Sequence, residues 1–140
     1  MAYMPLLQGI LTGKYRTPDE IPPKRTRTRH FREDRPESRH GEAGAEKELF
    51  EAIDGIREIA LNEEIPMSQL ALAWGIAKPG ITSVLVGTRD LSQLKDNIQA
   101  ASLSLSSKLI KQLDELTEPL LRKLGSNADY WQGGKNSRIR

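Results

Sequence analysis

Residues 16–40, RTPDEIPPKRTRTRHFREDRPESRH, constrain the fold more than any other stretch of this chain. Four prolines interrupt it. Each fixes φ and removes a backbone donor, so neither a long helix nor a central strand can run through the segment. It carries eight Lys/Arg against five Asp/Glu, and so holds the basic character of a chain whose net charge is only +2. With almost nothing to bury, residues 16–41 read as a long basic surface loop, mobile when alone. Loops of this length inside a compact domain are functional or disordered. Within it, PPKRTRTRHFRED interleaves Lys/Arg with an aromatic, as a nucleic-acid contact would, but the acidic residues mixed in favour a solvated loop and make nucleic acid an unlikely partner.

The flanking segments set the fold class. MAYMPLLQGILTGKY is apolar and reads as a strand leading into a glycine-containing loop. From Glu42 onward, Ala45, Leu49, Ala52, Ile53, Ile56, Ile59 and Ala60 recur at three- and four-residue spacing and predict a helix with one buried face. Pro66 suits the first turn of a second helix, MSQLALAWGIAK, apolar on most sides, with Trp74 in the core, and Pro79-Gly80 ends it. ITSVLVG is a nearly continuous apolar run rich in β-branched residues, typical of a parallel strand covered on both faces. A third helix, capped by Asp90 with Gln93 three residues on, runs to about Ala101. A fourth starts at Ser106 or Ser107 with Leu109, Leu113, Leu116 and Leu120 on one face; Pro119 is expected to kink or split it, and Gly125 to stop it. The tail over 126–140 has no period. Strands alternating with helices imply parallel pairing. Two strands are fewer than an ordinary sheet needs, so the chain reads as part of a larger α/β architecture, predominantly helical by content.

Several function classes are excluded or made poor fits. With no cysteine there is no disulfide, thiolate catalysis or cysteine-held metal. His30 and His40 stand ten residues apart in polar sequence, poor spacing for a metal site. No apolar run approaches the ~20 residues of a membrane span, and the N-terminus lacks the charged start and apolar core of a secretory signal, so a cytoplasmic protein without membrane partners is the expectation. At 140 residues the chain reads as a single domain.

SVLVGTRDLSQLKDN, residues 83–97, is the candidate site. A helix N-terminus presents free backbone donors and partial positive charge, which suit phosphate. Gly87 lets a ligand approach the backbone, Thr88 adds a hydroxyl, and Arg89 a bidentate fork. Gln93 and Asn97, one turn apart, are placed to reach a base or sugar on the same side. From the residues alone, an ordinary capped helix with an exposed arginine accounts for the pattern better.

Two stretches resemble the aldo-keto reductases. AYMPLLQGILTGKY looks like their seventh strand and following loop, and MSQLALAWGIAKPGITSVLVGTRDLSQLKDNIQA is similar to their seventh helix, eighth strand and eighth helix, in the right order. The resemblance implies the last two βα units and C-terminal helix of a (β/α)8 TIM barrel, binding NADP(H). It implies that Gly87, Thr88 and Arg89 hold the 2′-phosphate side of the adenosine, with Gln93 and Asn97 on the same phosphate and the adenine. Pro5, Leu6, Gln8, Gly9 and Leu11 would line the pyrophosphate and ribose, with Lys14 a weaker candidate. Met4 stands where many relatives have serine, which removes one hydroxyl contact. The family's catalytic tyrosine, aspartate, lysine and histidine lie in the first half of the barrel and have no counterpart here; Tyr3, Tyr15 and Tyr130 do not occupy that setting. No catalytic residue and no metal ligand is therefore assigned, and turnover by this chain alone is not expected. Tyr130 and Trp131 would line a carbonyl-substrate pocket, as C-terminal loops do in that family; a tail that packs on the barrel or stays disordered accounts for them equally. Open strand edges and uncovered helix faces imply a homo-oligomer, and a non-catalytic self-associating scaffold derived from such a fragment is the alternative reading.

Overall fold

The apolar spacing downstream of the proline-rich stretch becomes four helices, α1 (Glu46–Asn62), α2 (Met67–Ile76), α3 (Leu91–Ala101) and α4 (Ser107–Leu124), in a computed structural model that describes residues 1–132. α1 turns Leu49, Ala52, Ile53, Ile56 and Ala60 inward, each 5% exposed or less, as helical periodicity requires; Ile59 is only half-buried. α2 buries Met67, Leu70, Ala71, Leu72 and Ala73, and also Gln69, whose amide donates to Gln99 Oε1 on α3 at 3.0 Å. Pro66, expected inside the first turn, stands one place earlier as the N-cap, with ψ 132°, a position where a non-helical ψ is required and proline's fixed φ does no harm. Trp74 is not a core residue. It is half-buried, its indole N–H donates to Asp114 Oδ1 at 2.7 Å, and Lys78 lies over its ring, because the polar end of an indole seeks a partner at the edge of a core.

In α4, Leu109 and Leu113 are buried while Leu116 and Leu120 are half-buried. Pro119 does not split the helix, which continues to Leu124. The proline is exposed, so water can satisfy the carbonyl it frees. Gly125, at φ 71°, then ends the helix, its N–H donating to Leu121 O at 3.0 Å.

β1 (Ala2–Tyr3) and β2 (Val84–Leu85) pair in parallel, Ala2 opposite Val84 and Tyr3 opposite Leu85. The parallel sense is as expected; the length and burial of the second strand are not. Only two residues of ITSVLVG enter the ladder, and Leu85 is 53% exposed. Among the described residues each strand has one neighbour, so nothing extends the ladder or covers its second face.

The chain divides into two compact units. Residues 1–14 with 55–114 form the first, which holds the sheet, α2 and α3. Residues 15–54 with 115 onward form the second, built on the proline-rich stretch. Residues 133–140, the end of the 126–140 tail, lie outside the described residues.

The second unit overturns the reading of residues 16–41 as a segment with nothing to bury. Ile21, Thr26, Thr28, Arg29, His30, Phe31 and His40 are all buried, and Phe31 is 0% exposed. The prolines do bar regular helix, leaving short 3-10 turns at Pro18–Glu20 and Pro23–Arg25. Burial is achieved instead by satisfying polar groups one by one. The Arg29 guanidinium, 8% exposed, donates through Nε to both Glu42 oxygens at 2.9 Å, through Nη1 to Asn127 O at 2.8 Å and Asp129 O at 3.4 Å, and through Nη2 to Leu124 O at 2.7 Å. Arg35 bridges Asp19 (2.6 Å) and Glu46 (2.8 Å). Burial alone would raise the Glu46 carboxyl, but the hydrogen bonds from Arg35 and the Arg32 amide outweigh it and hold the pKa below the usual carboxylate value. Gly44 closes the loop at φ +75°, where a Cβ would overlap the Phe31 carbonyl.

Candidate functional site

Because β1 and β2 run parallel, the chain leaves both at the same end of the sheet. Met4–Gly13 follows β1, and Val86–Asp90 follows β2. The fold therefore brings Pro5, Leu6, Gln8, Gly9 and Leu11 to the end that also carries Gly87, Thr88 and Arg89, within one unit. The C-terminal ends of parallel strands are where open and closed α/β sheets place their ligands.

The loop after β1 is tightly wound. Leu7 N donates to Met4 O and Gly9 N to Leu6 O, both at 2.8 Å, and Thr12 Oγ1 donates to Gly9 O at the same distance. Closing so tight a turn drives three non-glycine residues into the left-handed region: Met4 at φ 55°, Leu7 at 44° and Gln8 at 55°. Each such residue costs on the order of 1–3 kcal/mol and persists only where its surroundings dictate it. Here the buried Ile10 anchors the turn, and Gly13 seats on Met67, where a Cβ would come 2.8 Å from the sulfur. Pro5, Leu6, Gln8, Gly9 and Leu11 are half-buried, and Lys14 is exposed.

The loop after β2 ends in a capped helix. Asp90 Oδ1 accepts the Gln93 amide at 2.9 Å, and Gln93 Oε1 accepts the Arg89 amide at 3.1 Å. The Gln93 carbonyl thus helps to hold the turn, and its NH2 makes no hydrogen bond to the turn. A Cβ at Gly87 would meet nothing within 4 Å, so the space above this backbone is open. Thr88 and Arg89 are exposed, and their side chains make no hydrogen bond or ion pair with a described residue. The first-turn amides of Leu91 and Ser92 have no intrahelical acceptor, as at every helix start. Asn97, one turn beyond Gln93, is half-buried.

The other chemically capable groups are engaged elsewhere. Tyr3 is exposed on β1, and Tyr15 Oη accepts from Arg25 Nη1 at 3.0 Å. Tyr130 stacks on His30 with ring centroids 5.5 Å apart. His30 Nδ1 lies 3.3 Å from Thr28 Oγ1; burial, with the charge of Arg29 and the neighbouring His40, lowers its pKa to about 4. No group of three or more His, Asp or Glu suited to a metal ion occurs among the described residues. The aromatic of the basic run, Phe31, is wholly buried, and Arg29, Arg32 and Arg35 face carboxylates. Sequence reasoning missed the Arg29 cluster. The available signal was the period-two spacing of Thr26, Thr28 and His30, all buried. Within the described residues no helix is long and apolar enough to cross a membrane.

The chain matches the Aldo/keto reductase family over residues 1–118. It is 28% identical over 118 residues to aldo-keto reductase str7 of Strobilurus tenacellus, covering 84% of this chain and 33% of that protein. It is 32% identical over 115 residues to aldo-keto reductase yakc of Schizosaccharomyces pombe, whose name carries NADP(+), covering 82% and 32%. It is 34% identical over 120 residues to L-glyceraldehyde 3-phosphate reductase of Escherichia coli strain K12, again covering 82% and 32%. The chain thus spans about a third of the length of these relatives.

Proposed function

This chain belongs to the aldo/keto reductase family, and from that premise we propose that it is the C-terminal, NADP(H)-binding part of such an oxidoreductase, a partial (β/α)8 barrel that is catalytically incomplete by itself. The observation that carries this reading is the convergence of the Pro5–Leu11 and Gly87–Arg89 loops at one end of a parallel strand pair. The residues fit the group. Gly87 leaves open space, Thr88 and Arg89 offer donors that no described side chain uses, and the start of α3 adds backbone N–H groups and its dipole. The Asp90 carboxylate at the same helix start repels a phosphate, which leaves Arg89 as the main source of attraction.

When bound in a complete reductase, NADPH supplies the hydride that reduces a carbonyl. This chain's residues would bind and orient the adenosine end, Arg89 through its guanidinium and Gln93 through its NH2. No residue here takes the part of the proton donor or its supporting groups, so binding without turnover is the expected behaviour. Calorimetric titration with NADP+ and NAD+ tests the reading. NADP+ should bind more tightly, and Arg89→Ala should remove most of the difference, about tenfold for one exposed charge-assisted contact. Equal or undetectable binding of both cofactors to the wild type refutes it.

A second reading, self-association, is favoured by a specific observation. Tyr3 and Leu85 on the sheet, and Leu91, Leu94 and Ile98 on α3, are exposed. An apolar sheet face beside open strand edges is a template for pairing. Light scattering across a dilution series in the micromolar range should report a dimer or larger species; a monodisperse monomer throughout rules this out.

A further inference from the structure

The second unit contains a small pocket that has no part in the cofactor reading. It is open and shallow, lined by Arg27, Glu37, Arg39, Trp131 and Gln132, with a volume of about 200 Å³. That is smaller than the roughly 300–1,000 Å³ of drug-sized sites and far too small for a dinucleotide, but ample for one small organic ion. Its charge is unbalanced, with two arginines facing one carboxylate. The arginines that hold this unit together are matched differently: Arg29 is paired with Glu42, and Arg35 with both Asp19 and Glu46.

Arg27 is held ready rather than neutralised. Its guanidinium carbon lies over the Trp131 ring, 5.2 Å from the centroid, a cation–π contact. Its Nη1 reaches Glu37 Oε2 only at 3.5 Å, the outer limit of a hydrogen bond, and its Nε is buried with no acceptor among the described residues. The side chain as a whole is 43% exposed, so the guanidinium tip is reachable from the pocket. Arg39 is exposed and makes no hydrogen bond or ion pair with a described residue.

The opposite wall is preorganised. Asp129, 1% exposed, accepts the Trp131 amide at 2.9 Å and the Gln132 amide at 3.3 Å, while Asn127 Nδ2 donates to Gln132 O at 3.2 Å. Asp129 N in turn donates to Asn127 Oδ1 at 2.9 Å, and Arg29 pins the carbonyls of both residues. The backbone that carries Trp131 and Gln132 is thereby held before any ligand arrives, which lowers the ordering cost of binding.

The geometry points to a binding site for a small organic anion, a carboxylate or phosphate monoester, gripped by Arg27 and Arg39 with its apolar body against Trp131. Glu37 competes with that anion for Arg27. The inference stands independently of the cofactor reading, since it uses none of the same residues.

The test is a titration of the 15N-labelled protein with benzoate and with inorganic phosphate, and with benzamide as the neutral isostere of benzoate. The chain has two tryptophans, so Trp131→Phe assigns the two indole N–H signals. Benzoate or phosphate should move the Trp131 indole with roughly millimolar affinity and leave that of Trp74 in place. Benzamide should not move it. Arg27→Gln and Arg39→Gln should each weaken binding about tenfold, and Glu37→Gln should tighten it about threefold by removing the competitor. If Arg27→Gln does not fold, the exposed Arg39→Gln and Glu37→Gln decide. The inference is overturned if neither anion moves the Trp131 signal, if benzamide moves it as far as benzoate, or if Arg39→Gln and Glu37→Gln both bind as the wild type does. Which anion binds more tightly separates the carboxylate from the phosphate source.

Discussion

Arg29→Met tests whether the proline-rich segment is ordered by its buried guanidinium. The substitution keeps most of the aliphatic volume and deletes five hydrogen bonds: two to Glu42, and one each to the carbonyls of Leu124, Asn127 and Asp129. Breaking a buried, hydrogen-bonded ion pair costs about 3–5 kcal/mol, because the abandoned partner stays desolvated. Glu42 is 33% exposed and can turn toward water, which argues for the lower end, about 3 kcal/mol. For a chain of this length each kcal/mol lowers the melting temperature by roughly 3 °C, so a fall of about 9 °C is expected. Arg29→Lys keeps the charge but not the planar fork that reaches Glu42 and the three carbonyls together, and should recover less than half of the loss. Thermal unfolding followed by circular dichroism reads both. Trp131 fluorescence should shift in the same variants, because its wall is pinned by the same guanidinium. A melting temperature for Arg29→Met within about 2 °C of the wild type would refute the reasoning, as would an Arg29→Lys protein as stable as the wild type.

Two further expectations concern the same unit. Gly44→Ala forces a side chain into the left-handed region and against the Phe31 backbone, and should cost at least about 2 kcal/mol by urea denaturation; an unchanged midpoint would show that the loop simply shifts. His30, with its pKa lowered from 6.5 to about 4, takes up its proton in the unfolded chain before the folded one does. Stability should therefore be flat above neutral pH, fall as pH drops from about 6.5 toward 4, and lose up to about 3 kcal/mol from this residue. The burial of His40 acts in the same direction. In a pH series of urea midpoints His30→Gln should flatten much of that slope, and an undiminished slope in the variant would assign it to other groups.

The helices were legible because α1 places apolar residues at helical spacing, α2 is a short run apolar on most sides bounded by Pro66 and Pro79-Gly80, and Asp90 and Gly125 mark their neighbours' ends with well-understood cap chemistry. The loop residues of the candidate site were legible only as motifs. Their placement at one end of a sheet depends on a ladder of two residues per strand, too short to leave a period in the sequence. The proline-rich segment was misread because hydropathy scores threonine, arginine and histidine as surface residues. Thr26, Thr28, Arg29 and His30 are buried all the same, the arginine by a full set of acceptors and Thr26 by donation to Pro23 O at 3.0 Å. Those acceptors include Leu124, Asn127 and Asp129, about a hundred residues away, which no local pattern can announce. Of the two outcomes expected at Pro119, the split does not occur: a proline's cost depends on whether water can reach the freed carbonyl, and the sequence does not say which way that carbonyl faces.

The pairing of Ala2 with Val84 has a kinetic side. Closing a ring of about eighty residues costs about 4 kcal/mol of chain entropy, more than the few hydrogen bonds of so short a ladder return at about 1 kcal/mol each. The strand pair is therefore no nucleus. It forms once the intervening chain has folded and carried its ends together, so the two loops first meet late in assembly. A ligand that touches both loops adds its binding free energy at that final closure, and holds shut a ring that the backbone alone closes only weakly.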